Sequence, residues 1–195
     1  MLQGLDVEPN PLERTATCAE IDILYEDQWI LAVNKPAGVL SVPGKLSTYS
    51  LQEHIERLFP EGEKPMIVHR LDMDTSGIML FAKTQDAAID LRRQFEEHTV
   101  RKTYLARLFA CQTNLSIGDK GVVELPLSAD YDERPRQKVD QMQGKPAVTE
   151  YEVTGANADG TIDVIFHPVT GRTHQLRVHS AHTLGLGCPI IGDML

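Results

Sequence analysis

The chain has 195 residues and a net charge of −9, with 42% hydrophobic and 24% charged residues. These values are ordinary for a globular protein, and the acidic balance argues against an indiscriminate polyanion binder. No apolar run is long enough to span a bilayer, and the N-terminus shows no signal-peptide pattern. The three cysteines are far apart and form no CxxC pair, which argues against a disulfide framework or a structural zinc site. We therefore expect a cytoplasmic protein with no membrane partner.

The charges are unevenly distributed along the chain. Residues 1–28 are mostly acidic, whereas basic residues gather at 92–107, 134–145 and 172–177. Such a distribution permits a local basic face on an acidic protein, although an ordinary solvated charge is the simpler interpretation of any single Lys or Arg.

The first 35 residues predict a lead-in followed by a hairpin. Residues 1–20 contain Pro9 and Pro11 and suggest an irregular segment. Two apolar runs over residues 21–35 are separated by the polar turn Glu26-Asp27-Gln28, which indicates a β-hairpin.

Two helices are predicted together with their N-terminal caps. "SLQEHIERLF" has apolar residues at helical spacing, and Ser50 with Glu53 forms a capping box, while Pro60 ends the helix. "TQDAAIDLRRQFEEH" is the second helix, with Thr84 as its N-cap. Its predicted inward-facing residues are Ala88, Leu91 and Phe95.

The remaining segments predict mainly strands, which do not alternate regularly with helices. Strands are expected at 66–69, 77–83, 101–110, 121–125, 146–153 and 161–167, and a short helix at 173–183. Alternation in "KTYLARLFA" and "AVTEYEV" is typical of sheets with one covered face. The expected class is α+β with a largely antiparallel, mixed β-sheet flanked by helices and loops.

Three polar clusters lie beside segments that are expected to be buried. In "VHRLDMDTSGIMLFAKT" a polar loop leads directly into an apolar strand, an arrangement common at catalytic sites. Each residue alone has an ordinary explanation, such as a loop carboxylate, a strand aromatic or a surface cation. Their joint occurrence favours a functional site. The clusters comprise His69, Arg70, Asp72, Asp74 and Ser76; Lys102, Thr103 and Tyr104; and Arg172, His174, Gln175, Arg177 and His179.

The motifs "HRLDMDTSG", "RKTYLAR" and "GRTHQLRVH" closely resemble the three signature motifs of the RluA-type pseudouridine synthases. The resemblance extends to "NKPAGVLSVPG", "RPRQKV", "GKPAVTEYEV" and "GCPIIGD", and covers residues 21–193 in the family's order. It implies the pseudouridine synthase fold and the isomerisation of specific uridines in structured RNA. The expected partners are a large-subunit ribosomal RNA hairpin, the anticodon arm of transfer RNA, or both. No cofactor or metal is expected, and the protein is expected to be a monomer.

The resemblance also assigns roles to individual residues. Asp72 corresponds to the catalytic carboxylate, which either abstracts a ribose proton or attacks covalently. Tyr104 corresponds to the aromatic residue that stacks on the base, and Arg177 to the arginine that pairs with the catalytic Asp. The expected substrate-binding residues are Arg70, Arg172, His174 and Gln175.

The domain organisation follows from the same resemblance. Residues 1–20 are too short and acidic for the small RNA-binding domain that some relatives carry. We expect one catalytic domain over residues 21–195, which lacks the last C-terminal strands usual in the family.

Three alternative classes can be weighed against this interpretation. "HRLD" is similar to the kinase catalytic loop, but the chain lacks a glycine-rich loop and a downstream DFG. A metal hydrolase could use three histidines on one segment together with two carboxylates, although their spacing fits no common zinc pattern. These residues are His174, His179, His182, Asp72 and Asp74. A non-catalytic RNA-binding or chaperone protein on the same scaffold stays open, and the presence of all three catalytic residue types argues against it.

Overall fold

A computed structural model describes residues 21–44, 49–62, 64–109 and 115–193, and within them the chain forms ten strands and three helices. The chain divides into two compact units, residues 1–97 and 98–195, which we call unit 1 and unit 2. The predicted lead-in at 1–20 lies outside the described residues. The single catalytic domain over 21–195 stays a prediction.

Unit 1 contains a four-stranded antiparallel sheet in the order β1-β2-β4-β3. The predicted hairpin is present, because its first two strands pair with each other. The strands are β1 (Asp22–Glu26), β2 (Ile30–Lys35), β3 (Met66–Ile67) and β4 (Gly77–Ala82).

Helix α1 (Leu51–Leu58) and helix α2 (Gln85–Glu96) begin where their caps were predicted. The amide of Glu53 donates to Ser50 Oγ at 3.3 Å, and the amide of Ala87 donates to Thr84 Oγ1 at 3.3 Å. These bonds satisfy amides that have no partner within the helix. Side chains from β2, β4 and α1, with one from the loop after β2, form the apolar core of unit 1, namely Leu31, Val33, Val39, Leu51, Ile55, Met79 and Phe81.

Unit 2 contains a second four-stranded antiparallel sheet, in the order β5-β10-β9-β6. Its strands are β5 (Tyr104–Phe109), β6 (Lys120–Glu124), β9 (Val148–Ala156) and β10 (Thr161–Pro168). Each lies within three residues of a strand predicted from the sequence. The central strand β10 alternates buried and less buried residues, and its Val164 and Phe166 are fully buried in the core of the unit.

A short hairpin in unit 2 was missed in the sequence. Strands β7 (Leu127–Ala129) and β8 (Gln137–Val139) pair antiparallel and form a sheet of their own. Three residues are too few to show an alternating pattern, so periodicity could not reveal them. The last helix, α3 (Gln175–Ala181), lies inside the segment predicted for it.

The predicted class, α+β with largely antiparallel strands, is confirmed by these ladders and helices. No helix in the described ranges is long and apolar enough to cross a membrane.

Candidate active site

The Asp72 loop, residues 68–76, connects β3 to β4 in unit 1. Its turn is closed by the amide of Thr75, which donates to the carbonyl of Asp72 at 3.1 Å. Gly77 then enters β4 with φ of 128°, in a region of backbone space that side chains rarely adopt. Asp72 itself is partly buried, whereas the neighbouring Arg70 is exposed. Within this loop, Arg70 is therefore exposed to solvent, whereas Asp72 is partly shielded from it.

Lys35, at the end of β2, anchors the Asp72 loop by a hydrogen bond from its side chain. Its side chain is fully buried (0% exposed), yet its ammonium has three acceptors. Nζ donates to the carbonyls of Pro36 at 2.9 Å, Val39 at 2.7 Å and Met73 at 2.8 Å. An ammonium carries three donors, so these bonds use all of them. The buried charge thereby ties residue 73, next to Asp72, to the segment that follows β2.

Burial lowers the pKa of Lys35 from its ordinary value of 10.5 to about 8, and the charges of Asp74 and Asp72 oppose this shift. Desolvation penalises the ammonium, whereas nearby carboxylates favour it. The charges of both acidic residues in the loop therefore act on the pKa of Lys35.

Two further side chains fix the ends of the Asp72 loop. Ser41 Oγ donates to the carbonyl of Leu71 at 2.6 Å and accepts from the amide of the same residue at 3.1 Å. The amide of Leu80 donates to His69 Nε2 at 2.9 Å, and the imidazole stacks on Phe95 with ring centroids 4.6 Å apart. His69 thus holds the loop between β4 and α2, and its Nε2 acts as an acceptor.

Tyr104 is the first residue of β5 in unit 2 and lies opposite Phe166 of β10. Its ring is partly buried against the apolar core of the unit. A groove of about 410 Å³ lies beside the start of the same strand. Its polar and charged lining residues are His98, Arg101, Lys102, Thr103, Glu150 and His167. Partial burial lowers the pKa of Lys102.

The Arg172 loop, residues 169–174, precedes α3 and is held by the side chain of Gln175. Gln175 is only 4% exposed. Its Oε1 accepts from Thr170 Oγ1 at 2.7 Å and from the amide of Arg172 at 2.9 Å. Its Nε2 donates to the carbonyl of Val148 at 3.0 Å and to Thr149 Oγ1 at 2.9 Å. These four bonds use the full capacity of the amide, so Gln175 joins the loop to strand β9.

The two other predicted binding residues of this loop are positioned by the same network. Arg172 is partly buried, and its Nε donates to the carbonyl of Pro146 at 2.9 Å. His174 is the N-cap of α3 and has φ of 52°, in the left-handed region. Such a conformation in a non-glycine residue costs about 1–3 kcal/mol, and residues of this kind cluster at functional sites.

Arg177, on α3, forms a two-pronged ion pair with Asp193. Its Nε donates to Asp193 Oδ2 at 2.8 Å, and its Nη2 contacts Oδ1 of the same carboxylate. Both side chains are mostly buried, with 18% and 11% of their surface exposed. Asp193 is the last residue of "GCPIIGD", a segment that shares the family resemblance, but no role was predicted for it.

The histidines proposed for the metal-hydrolase alternative are engaged by the protein. His179 is fully buried, with Nδ1 2.9 Å from Thr149 Oγ1 and Nε2 3.1 Å from the carbonyl of Leu125. Burial lowers its pKa and favours the neutral ring. His182 Nδ1 accepts from the amide of Leu184. Over the described part of the chain, no group of three or more His, Cys, Asp or Glu is placed to hold a metal ion.

The predicted site residues form one group in each unit, while Tyr104 lies separately at the start of β5. Arg70 and Asp72 share the anchored loop of unit 1, and Arg172, His174, Gln175 and Arg177 share the start of α3 in unit 2. The predicted pairing of Asp72 with Arg177 joins residues of different units and stays a prediction. Lys35, Ser41 and Asp193 also form the site, and although they lie in segments that share the family resemblance, no individual role was predicted for them.

Three comparisons with known proteins bear on this site. A family model described as RNA pseudouridylate synthase matches residues 29–182. The chain is 48% identical over 173 residues to the dual-specificity RNA pseudouridine synthase RluA of Escherichia coli strain K12, covering 88% of this chain and 74% of that protein. The protein of the same name from Yersinia pestis is 44% identical over 173 residues, covering 88% and 79%.

Two solved human structures are also similar. RNA pseudouridylate synthase domain containing 1 matches with a TM-score of 0.72 and 29% identity, covering 96% of this chain and 71% of the other. RNA pseudouridylate synthase domain containing 4 matches with a TM-score of 0.68 and 29% identity, covering 88% and 67%.

Proposed function

The chain belongs to the RNA pseudouridylate synthase family, and from this premise we propose that it isomerises specific uridines in ribosomal RNA, transfer RNA or both. The observation that supports the proposal most is the extent of the family match, which includes all seven predicted site residues. The motif resemblance to RluA-type enzymes is confirmed by the identity with RluA proteins over most of both chains.

Pseudouridine formation breaks the N1–C1′ glycosidic bond of uridine, turns the uracil and forms a new bond from C5 to C1′. Nothing is oxidised and no group leaves, so the reaction needs no redox cofactor. A carboxylate must act at the ribose, and Asp72 is our candidate for it. Two routes stay open: Asp72 abstracts a ribose proton to give a glycal, or it attacks C1′ and forms a covalent intermediate.

The carboxylate works best when it is fixed and ionised. The Asp72 loop is fixed by Lys35, Ser41 and His69, and a rigid loop keeps the reacting oxygen aligned with the substrate. A nearby cation favours the ionised form of a carboxyl group. On the resemblance, Arg177 supplies this cation, because a guanidinium stays charged and can hold a carboxylate by a fixed fork.

The base must leave its stack before it can react. Enzymes that modify a base within folded RNA extrude it into a pocket, where aromatic stacking holds it with little dependence on sequence. We propose that Tyr104 stacks on the extruded uracil and accepts the C5 proton late in the reaction. The exposed Arg70, two residues before Asp72, fills the vacated space and contacts the backbone.

The RNA backbone is held mainly by unit 2. Arg172 and His174 contact the RNA, and Gln175 contributes through the loop that it fixes, since its amide is fully used within the protein. The groove beside β5 carries Arg101 and Lys102 and suits a phosphate. Focused basic sites of this kind fit an acidic protein that reads one loop or bulge in a folded RNA. We further propose that the enzyme is a cytoplasmic monomer.

The reaction releases the C5 hydrogen of uridine, which gives a direct test. Transfer RNA and large-subunit ribosomal RNA transcripts containing C5-tritiated uridine are incubated with the protein, and tritium released into water is counted. We expect release from at least one of them. An Asp72→Asn protein serves as the control for background exchange. Absence of release from both RNAs would count against the proposed substrates.

The finer question of which uridine is modified is decided in cells. Pseudouridines are mapped in RNA from a strain that lacks the gene, with and without the restored wild-type protein. We expect the missing mark to lie in a ribosomal RNA hairpin or in an anticodon arm. A mark lost only from messenger RNA would overturn this assignment.

A further inference from the structure

The ion pair between Arg177 and Asp193 is the most buried of the ion pairs found among the described residues. The carboxylate of Asp193 contacts Nε and Nη2 of Arg177, and Nη1 takes no part in this two-pronged contact. A fork of this kind fixes both the position and the plane of the guanidinium.

Asp193 is the last residue of a short segment, residues 188–193, whose backbone is hydrogen-bonded to other elements of unit 2. The amide of Cys188 donates to the carbonyl of Ser180 on α3 at 2.7 Å. Further along, the amide of Phe109 donates to Pro189, and the amide of Ile191 donates to Arg107, both at 2.9 Å. The segment therefore joins α3, which carries Arg177, to β5, which begins with Tyr104.

Gly192 lets the segment present the carboxylate to Arg177. Its φ is 81°, in the left-handed region, and a Cβ built on it would meet nothing within 4 Å. The amide of Asp193 then donates back to the carbonyl of Ile190 at 3.2 Å. The turn is thus made by backbone conformation alone, because no neighbouring atom would resist a side chain there.

We propose that Asp193 is a positioning residue of the pseudouridine synthase reaction, which holds the guanidinium of Arg177 in one orientation and sets it relative to the strand of Tyr104. The inference rests on the proposed catalytic function of Arg177. An arginine on a seven-residue helix has several rotamers open to it, and the fork restricts them to one. The orientation of Arg177 is therefore set before the substrate binds.

The test compares Asp193→Asn with a matched control, Asp163→Asn. Asp163 also accepts a fork from an arginine, with Arg107 Nε at 2.8 Å and Nη2 at 3.4 Å, but Arg107 is 54% exposed. Tritium release from transfer RNA and ribosomal RNA transcripts gives kcat and KM for each protein. We expect Asp193→Asn to lower kcat by about 100-fold at an unchanged KM, because small misplacements of a reacting group are costly. Asp163→Asn should leave both constants unchanged.

The pH profile separates positioning from simple structural support. In Asp193→Asn the acid limb of kcat should move to higher pH, because a cation that is held less well favours the reacting carboxylate less. A move to lower pH would show that Asp193 acts only through its negative charge, and would overturn the inference. Asp193→Glu, which keeps the charge but lengthens the side chain, should recover part of the lost kcat.

A second pair of variants tests the inference if Asp193→Asn does not fold. Gly192→Ala strains the backbone that aims Asp193, and Gly160→Ala applies the same strain in another turn, since its φ is 79° and nothing lies within 4 Å of its Cβ. We expect kcat to fall by about fivefold in Gly192→Ala only. Equal kcat values in both would overturn the inference. If the wild-type protein releases no tritium, the proposed function itself fails, which is a separate result.

Discussion

The Asp72 loop of unit 1 and the Arg172 loop of unit 2 are each anchored by one buried polar side chain. In unit 1 the anchor is the Lys35 ammonium, with three backbone carbonyls as partners. In unit 2 it is the neutral amide of Gln175, with two donors and two acceptors around it. Both anchors satisfy their whole hydrogen-bonding capacity, which is what allows a polar group to be buried.

The difference between the anchors lies in charge. A buried ammonium near Asp72 and Asp74 adds a positive potential beneath the loop that carries the proposed reacting group. A neutral amide gives the Arg172 loop a fixed shape and adds no charge to a segment that already carries Arg172 and His174. Each loop is thus anchored by a group whose charge suits the side chains that the loop carries.

The largest contrast between the two loops is expected in catalysis. Asp72→Asn keeps the shape of the side chain but removes the carboxylate, so kcat should fall on the order of 10⁴-fold with RNA binding largely retained. Asp74→Asn is the matched control on the same loop, and we expect a far smaller effect. Tritium release and filter binding measure the two quantities. The reverse order of effects would mean that the wrong carboxylate was chosen.

Replacing the charged anchor should destabilise unit 1. Lys35→Met keeps the length of the side chain and leaves three carbonyls without their donor, which should cost about 3 kcal/mol in the free energy of unfolding. Trp29 is the only tryptophan of the chain and lies in unit 1, so its fluorescence follows this unit in urea. A loss of less than about 0.5 kcal/mol in the free energy of unfolding would show that water replaces the ammonium at little cost.

The charged anchor should also make stability depend on pH. The pKa of Lys35 is about 8 in the folded protein, against 10.5 ordinarily. Between these values the unfolded chain binds more protons than the folded one, so this group makes stability rise with pH from about 8 to 10.5 and leaves it flat below. The difference in unfolding free energy between wild type and Lys35→Met should therefore grow from pH 7 to pH 9.5. A constant difference would contradict the shifted pKa.

Replacing the neutral anchor should have the smallest effect, and one independent of pH. Gln175→Leu removes four hydrogen bonds around a buried side chain of similar size, which should cost about 2 kcal/mol. Because the Arg172 loop loosens, KM for RNA should rise more than kcat falls. Hydrogen exchange of amides in β9 measures the local stability at pH 7 and pH 9.5. An equal pH dependence for Gln175→Leu and Lys35→Met would remove the distinction between the anchors.

Much of the fold followed from the sequence alone because its signals are local. N-caps at Ser50 and Thr84 act within one helical turn, and both helices begin where these residues predicted. Hydrophobic alternation also indicated strands β5 and β9 of unit 2, and two apolar runs around a polar turn indicated the hairpin of unit 1. The motifs around Asp72, Tyr104 and Arg177 identified the family, since short segments that carry chemistry keep their residue order.

Tertiary structure decided which polar residues are buried and what satisfies them. Lys35 reads in the sequence as an ordinary lysine at a strand end, and it is fully buried because carbonyls of residues 36, 39 and 73 converge on it. Gln175 reads as a ligand-binding amide, yet both groups that its Nε2 donates to come from β9, more than twenty residues away. The partner of Arg177 in unit 2 is likewise sixteen residues away, at Asp193. A hydrogen-bonding group is satisfied by whatever the folded chain brings within about 3 Å of it, and sequence spacing does not encode that distance.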